Sequence, residues 1–196
     1  MRRTLSLSII LAVTAPLFAP RSAEAIIRRH DIDDSNYVVS AEDYPALVDL
    51  LALGDCMATL IHPLWLITAA HCAVEMPTSA SLMIGGVWYP VATVRIPSHW
   101  DDDVDDIALI ELVEPVADVA PILVYEGNEE VGQVVWFVGR GDTSTGLRGQ
   151  SDASVDGRTR RASNTIVAAD NHWIRFVFNS PEEAGVTALE GISGDG

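Results

Sequence analysis

Leu66-Ile67-Thr68-Ala69-Ala70-His71-Cys72 is an apolar run, rich in strand formers, that ends in small residues and delivers one histidine followed at once by a cysteine. β-Branched and aliphatic side chains suit the pleated, half-buried surface of a strand, and residues 65–68 read as one. Upstream, residues 44–51 and 54–61 are strand-like, and His62-Pro63 is a turn signal. Downstream, residues 81–84, 87–89 and 91–96 are short β-type runs separated by Gly85-Gly86 and by Pro90. Residues 107–113 are apolar enough for a buried strand that Glu114-Pro115 closes. Short strands with frequent Gly and Pro turns, and no sustained helical period, point to an all-β sandwich or barrel.

Outside this block the pattern is less regular. Residues 31–44 are polar and acidic and read as a surface segment. Pro121 marks a crossing linker, and a second half begins near Ile122. Residues 142–163, rich in Gly, Ser, Thr, Asp and Arg, read as a long exposed loop. Residues 164–169 and 173–178 supply two further strands. No internal repeat is evident.

The 196 residues suit one domain or two small ones sharing an interface. Nearly half are apolar, enough for a sizeable core. A formal net charge of −16 repels nucleic acid and anionic membranes, so neither is an expected partner. All basic residues are arginines, which excludes Ser–Lys and Schiff-base chemistry. Residues 1–25 read as a secretory signal: Arg2-Arg3, an apolar stretch from Leu5 to Ala19 broken by Pro16, then Ala23-Glu24-Ala25 as a small-x-small cleavage site. The mature protein is then secreted or periplasmic and begins at Ile26. Two cysteines in an exported chain suggest one disulfide, Cys56–Cys72, with buried free thiols as the alternative.

Thr68-Ala69-Ala70-His71-Cys72 and Asp106-Ile107-Ala108-Leu109 together resemble the signatures that chymotrypsin/trypsin-like serine proteases carry around their catalytic histidine and aspartate. The chain is similar to that family's secreted bacterial type over most of its length after the leader. Residues 54–61 look like the family's G-x-C-x-G-T-L-I strand, with Ala58 where glycine is usual, and residues 131–141 like its G-x-x-V-x-x-x-G-x-G strand. The resemblance implies an all-β fold of two six-stranded antiparallel barrels. Residues 26–120 would form the N-terminal half and residues 121–196 a C-terminal half that is incomplete in this chain. It also implies a disulfide that ties the strands beside the site. Closing so short a loop stabilises by about 3 kcal/mol.

Peptide hydrolysis by this route needs a hydroxyl nucleophile, a base to take its proton and a group that fixes the base. Imidazole suits the base because it titrates near neutral pH, and a carboxylate holds it in the right tautomer. The order His71, Asp106, later serine is that of the chymotrypsin-like class. His71 is the expected general base. Asp106 is the expected orienting group, with Asp105 next, because only Asp106 directly precedes Ile-Ala-Leu.

The acidic run offers one other reading. Asp101, Asp103 and Asp105 alternate as calcium ligands do, but Asp106 and Leu112 stand where an EF-hand loop needs glycine and glutamate. A solvated loop accounts for the remaining aspartates. His30, His62, His99 and His172 lack metal-ligand spacing, and two cysteines make no zinc set. No metal or cofactor is expected. The partner implied is a protein or peptide substrate.

The tail, Gly191-Ile192-Ser193-Gly194-Asp195-Gly196, admits three alignments with the family's G-D-S-G-G. The adopted one makes Gly196 the first glycine, so the serine lies beyond Gly196 and the chain is a fragment. A second makes Ser193 the nucleophile, with Ile192 in place of the aspartate that pairs with the freed amine. A third puts Gly196 in place of the serine, giving an inactive pseudoprotease that serves as an exported binding protein. Under the first, Ile192 falls at the specificity-pocket floor, where no aspartate awaits Arg or Lys. The family's freed terminus folds inward, which makes Ile26 the candidate activation terminus. Arg28-Arg29 replaces the usual glycines there, or marks a processing site.

Overall fold

In the computed structural model the described residues are 24–50, 56–77, 79–101, 104–149, 154–170 and 173–193. The expected leader lies outside them except for Glu24 and Ala25, which belong to β1 (Glu24–Arg28). β1 enters the second of two sheets. The first holds β2 (Leu47–Asp49), β3 (Met57–His62), β4 (Trp65–Thr68), β5 (Ser81–Ile84), β6 (Val87–Arg95) and β7 (Ala108–Leu112), with a four-residue helix, α1 (Ala70–Ala73), after β4.

Alternation builds the first sheet. In β4, β5 and β7, and in β3 as far as Leu60, every second residue is buried, as one covered face requires. Val48, Leu60, Leu66, Ile84, Ile110 and Leu112 converge on one core. The strands run β2-β3-β4-β7-β6-β5, all antiparallel. The end strands β2 and β5 lie against each other, so the sheet curls into a nearly closed barrel. Gly85-Gly86 turns β5 into β6 with positive φ at both residues (58° and 83°), the geometry a two-residue hairpin of this twist demands.

Pro90 does not break the strand as its sequence suggests. β6 pairs with β5 through Pro90 and with β7 from Val91 onward. The residue without an N–H thus sits where the strand changes partners, while its carbonyl accepts from the Val113 N–H at 2.9 Å.

The second sheet adds β8 (Val134–Thr145), β9 (Ser154–Ala169), β10 (Ile174–Phe176) and β11 (Gly191–Ser193), in the order β10-β9-β8-β1-β11. One pairing in it, β1 with β8, is parallel. The long loop expected over 142–163 is a correction: β8 continues to Thr145 and β9 starts at Ser154. Polar composition misled because this part of the sheet is built on charge. Arg160 is 2% exposed and donates to both oxygens of Asp34 (2.8 Å each) and both of Asp156 (2.9 and 2.6 Å).

Residues 31–44 are likewise more than surface. Asp34 anchors this network, and Tyr37 is fully buried and donates to the Glu190 carbonyl at 3.1 Å. Glu190 is itself buried. Its carboxylate accepts from the backbone and side chains of Asn179 and Thr187, which leaves neither oxygen unpaired. The two sheets meet where Arg140 of β8 pairs with Asp49 of β2 and donates its N–H to Met57 Sδ at 3.2 Å.

Hydrogen bonds from Arg160 hold the Asp156 and Asp34 carboxyls below the usual carboxylate range, against the opposing effect of burial. Both pKa values are depressed, so the stability they confer is present above the ordinary carboxylate range and is lost as pH falls through their folded values. R160M is expected to cost about 3 kcal/mol, because it leaves two carboxylates facing an apolar side chain. Urea titrations between pH 7 and pH 2 check both points: the wild type loses stability below about pH 4, and R160M starts lower and loses less.

Candidate active site

Ala69 caps the start of α1 but has no side-chain acceptor for the first N–H groups of the helix. Asp106, thirty-five residues on from His71, supplies it. Its Oδ1 accepts the His71 N–H at 2.9 Å, and its Oδ2 lies 2.6 Å from His71 Nδ1. One carboxylate therefore fixes both the backbone and the ring of the same histidine. The register of β4 against β7 makes this possible, since Thr68 pairs with Ala108 and sets α1 beside the start of β7. Small side chains let the elements close up: Ala70, Ala73 and Ala108 are all buried, with Val94, Ile96 and Trp100 packed around them.

A tight turn aims the carboxylate. The Ile107 N–H donates to the Asp105 carbonyl at 2.7 Å, which bends the chain sharply at Asp106. Asp105 has a φ of 57°, a conformation that aspartate tolerates better than most residues. Its own carboxylate lies 2.7 Å from His99 Nε2, so Asp105 and Asp106 serve different histidines. Asp102 and Asp103 fall outside the described residues, and with them part of the calcium reading, as does His172.

Burial acts to raise the Asp106 pKa, but the hydrogen bonds from the His71 N–H and ring, with the Ala70 N–H, outweigh it and hold the carboxyl below its ordinary range. Asp106 thus remains an anion and an acceptor for the Nδ1 proton. That leaves His71 Nε2 as the basic nitrogen, on a ring whose side chain is 43% exposed. Nε2 lies 3.4 Å from Cys72 Sγ.

Cys56 and Cys72 form the disulfide expected, with Cα atoms 5.9 Å apart. It links the start of β3 to α1. Cys56, His71 and Cys72 are the one cluster among the described residues with metal-ligand proximity, but the two sulfurs are bonded to each other and offer no thiolates.

The remaining candidates lie in the second sheet. Ser193 and Ile192 belong to β11, where they pair with Ile26 and Ile27 of β1. Ile26 is buried between β11 and β8. The Arg28-Arg29 pair is engaged rather than displayed: Arg28 pairs with Asp34 at 2.9 Å, and Arg29 with Asp31 at 2.6 Å. Residues 194–196 lie outside the described set. Sequence reasoning missed the Arg160 network, for which the only signal was alternating charge in residues 156–161.

A family profile described as Trypsin matches residues 35–171. Among curated proteins, the chain is 34% identical over 88 residues to a protein of Simulium vittatum named Trypsin, covering 39% of this chain and 36% of that protein. It is 30% identical over 126 residues to mouse Vitamin K-dependent protein C, covering 54% of this chain and 26% of that protein. The chain thus spans about a third and a quarter of these relatives' lengths.

D106N is expected to remove the anion that holds the His71 ring while leaving its shape. The far-downfield proton resonance of the Nδ1–H, visible in the wild type at neutral pH, should vanish, and stability should fall by about 2 kcal/mol. In the wild type the same resonance should weaken only as pH drops below the ordinary carboxylate range, because the Asp106 pKa is depressed.

Proposed function

This chain belongs to the trypsin family, and from that premise we propose that it is the histidine- and aspartate-bearing part of a secreted serine endopeptidase. The observation that carries this reading is the paired contact of one carboxylate with the backbone and ring of His71. His71 acts as general base and Asp106 as its orienting group. The nucleophile is a serine in the segment that follows Gly196 in the full protein.

The chemistry follows from the geometry. The serine hydroxyl gives its proton to His71 Nε2 as its oxygen attacks the scissile carbonyl. Asp106, already an anion and already bonded to Nδ1, stabilises the imidazolium that forms. The imidazolium then gives its proton to the leaving amine. Water, activated by the same nitrogen, hydrolyses the acyl-enzyme. Backbone amides near the serine stabilise the oxyanion. The chemistry needs no metal or cofactor.

The two sheets are the two halves of one peptidase unit, with the substrate in the crevice between them. Ile26 is the activation terminus, and its place in β1 supports this: its backbone runs beside the tail that leads to the nucleophile. Residues 1–25 act as the export signal, and among the described residues no helix is long and apolar enough to cross a membrane. The substrate is a protein or peptide, and Ile192 gives no basis for a preference for Arg or Lys.

Reading the coding region through the codons after Gly196 tests the proposal. An in-frame Asp-Ser-Gly-Gly supports it, and a stop codon overturns the enzyme in favour of an exported binding protein on the same fold. In a chain that carries the serine, H71A and D106N should each lower kcat/KM by about four orders of magnitude against a peptide ester, with circular dichroism and the thermal midpoint as the control for folding.

A further inference from the structure

Beside the end of β1 the second sheet bears a solvent-open recess of about 150 Å³, lined by Arg28, Arg148, Arg158 and Arg160 with Asp34, Asp156 and the Thr143–Thr145 segment of β8; Arg148 and Arg158 are exposed at its rim. Among the described lining residues, four guanidinium groups face two carboxylates, an excess of two positive charges. Not all of that charge is free. Arg160 spends its donors on Asp34 and Asp156. Arg158 gives its Nε to Asp156 and shares one terminal nitrogen between Asp34 and Asp156. Thr143 and Ser144 donate their hydroxyl protons to the carbonyls of Ile26 and Gly149.

What remains unspent points one way. Arg28 comes closest to Asp34 through Nε, at 2.9 Å without a hydrogen bond, and among the described residues its terminal nitrogens make no hydrogen bond. The Arg148 guanidinium has no partner among the described residues, and one terminal nitrogen of Arg158 is likewise unused. Three guanidinium groups thus converge on a concave, polar space with donors to spare. Planar forks of this kind match the oxygens of a phosphate or sulfate.

We propose that this cavity is a binding site for a small tetrahedral oxyanion, inorganic phosphate or sulfate, held by Arg28, Arg148 and Arg158. A dianion cancels the two excess charges. The ligand is a free small ion rather than a polyanion, because a chain of net charge −16 repels an extended anionic polymer. The site joins three strands: Arg28 ends β1, Thr145 ends β8, and Arg158 lies in β9. Anion binding therefore fastens the N-terminal strand to the sheet.

Titration calorimetry of the exported protein with sodium phosphate and sodium sulfate at pH 7, against sodium chloride at matched ionic strength, tests this. The expected result is saturable, one-to-one binding of both tetrahedral ions and none of chloride. R148Q, which removes an exposed guanidinium with no hydrogen bond or ion pair among the described residues, should weaken binding at least about tenfold, as loss of one charged contact of about 1.4 kcal/mol does. R175Q, on β10 and away from the cavity, should bind as the wild type does. The thermal midpoint should rise saturably with phosphate in the wild type and in R175Q. General salting effects of these ions rise without saturation and are shared by all variants. Heat with chloride equal to that with phosphate, or wild-type affinity in R148Q, overturns the proposal. So does Arg148-dependent binding of a sulfated polysaccharide without binding of free sulfate.

Discussion

One carboxylate is asked to do two things. The helix that carries His71 has an alanine at its cap, so its leading N–H groups need an acceptor from elsewhere. The imidazole needs a fixed acceptor for its Nδ1 proton. Asp106 answers both needs with its two oxygens. Because the two bonds share one rigid group, the ring cannot turn without disturbing the helix start. The capping geometry therefore restricts the ring orientation. The disulfide adds a third restraint, joining the residue after the histidine to the start of β3. The small packing of Ala70, Ala73 and Ala108 lets these bonds be short, because a larger residue at any of the three would push α1 off β7.

The two sheets reach stability by different physics. The first is an aliphatic core closed on itself, where burial of apolar side chains, Leu60, Leu66 and Ile110 among them, supplies the gain. The second buries Arg160, Glu190 and Asn164, and each of these is matched with partners. A network of that kind adds less net free energy than apolar packing would, since desolvation offsets much of the attraction. What it does supply is register. Arg160 reaches both oxygens of Asp34 only if β9 lies where that aspartate meets it, so a slip of one residue would cost that pair, while Asp156 moves with Arg160 on β9 itself.

That contrast explains what the sequence disclosed and what it hid. β4 and β5 have the bounds of their strand-forming runs, β7 is one residue shorter at each end and β3 begins three residues later than its run, because β-branched and aliphatic side chains mark a half-buried strand locally. The motif around His71, with Asp106 ahead of an apolar strand, was enough to predict the pair that the structure brings within 2.6 Å. Residues 142–163 were misread because loop composition and a charge-built strand look alike in one dimension. Only the position of Asp34, more than a hundred residues away, turns Arg160 from a loop residue into a core one. Pro90 misled for a related reason. Its effect depends on which neighbour each half of the strand pairs with, and no local window contains that.

The start of the described chain poses a last question, since Arg28-Arg29 stands where glycines were expected. Glycine helps where a terminus must bend through conformations closed to other residues. Here residues 24–28 are a strand with neighbours on both sides. A strand does not need that freedom, and glycine would weaken it. Side chains can contribute instead. Ile26 fills the interior. Arg28 turns to Asp34 and the cavity beside it. Arg29 reaches Asp31 and the Thr187 carbonyl at 3.2 Å. The segment is thus seated by one apolar anchor and two ion pairs in place of backbone flexibility. Its hold on the sheet should follow the charge state of Asp31 and Asp34, both of which remain anionic below the usual carboxylate range because of their arginine partners.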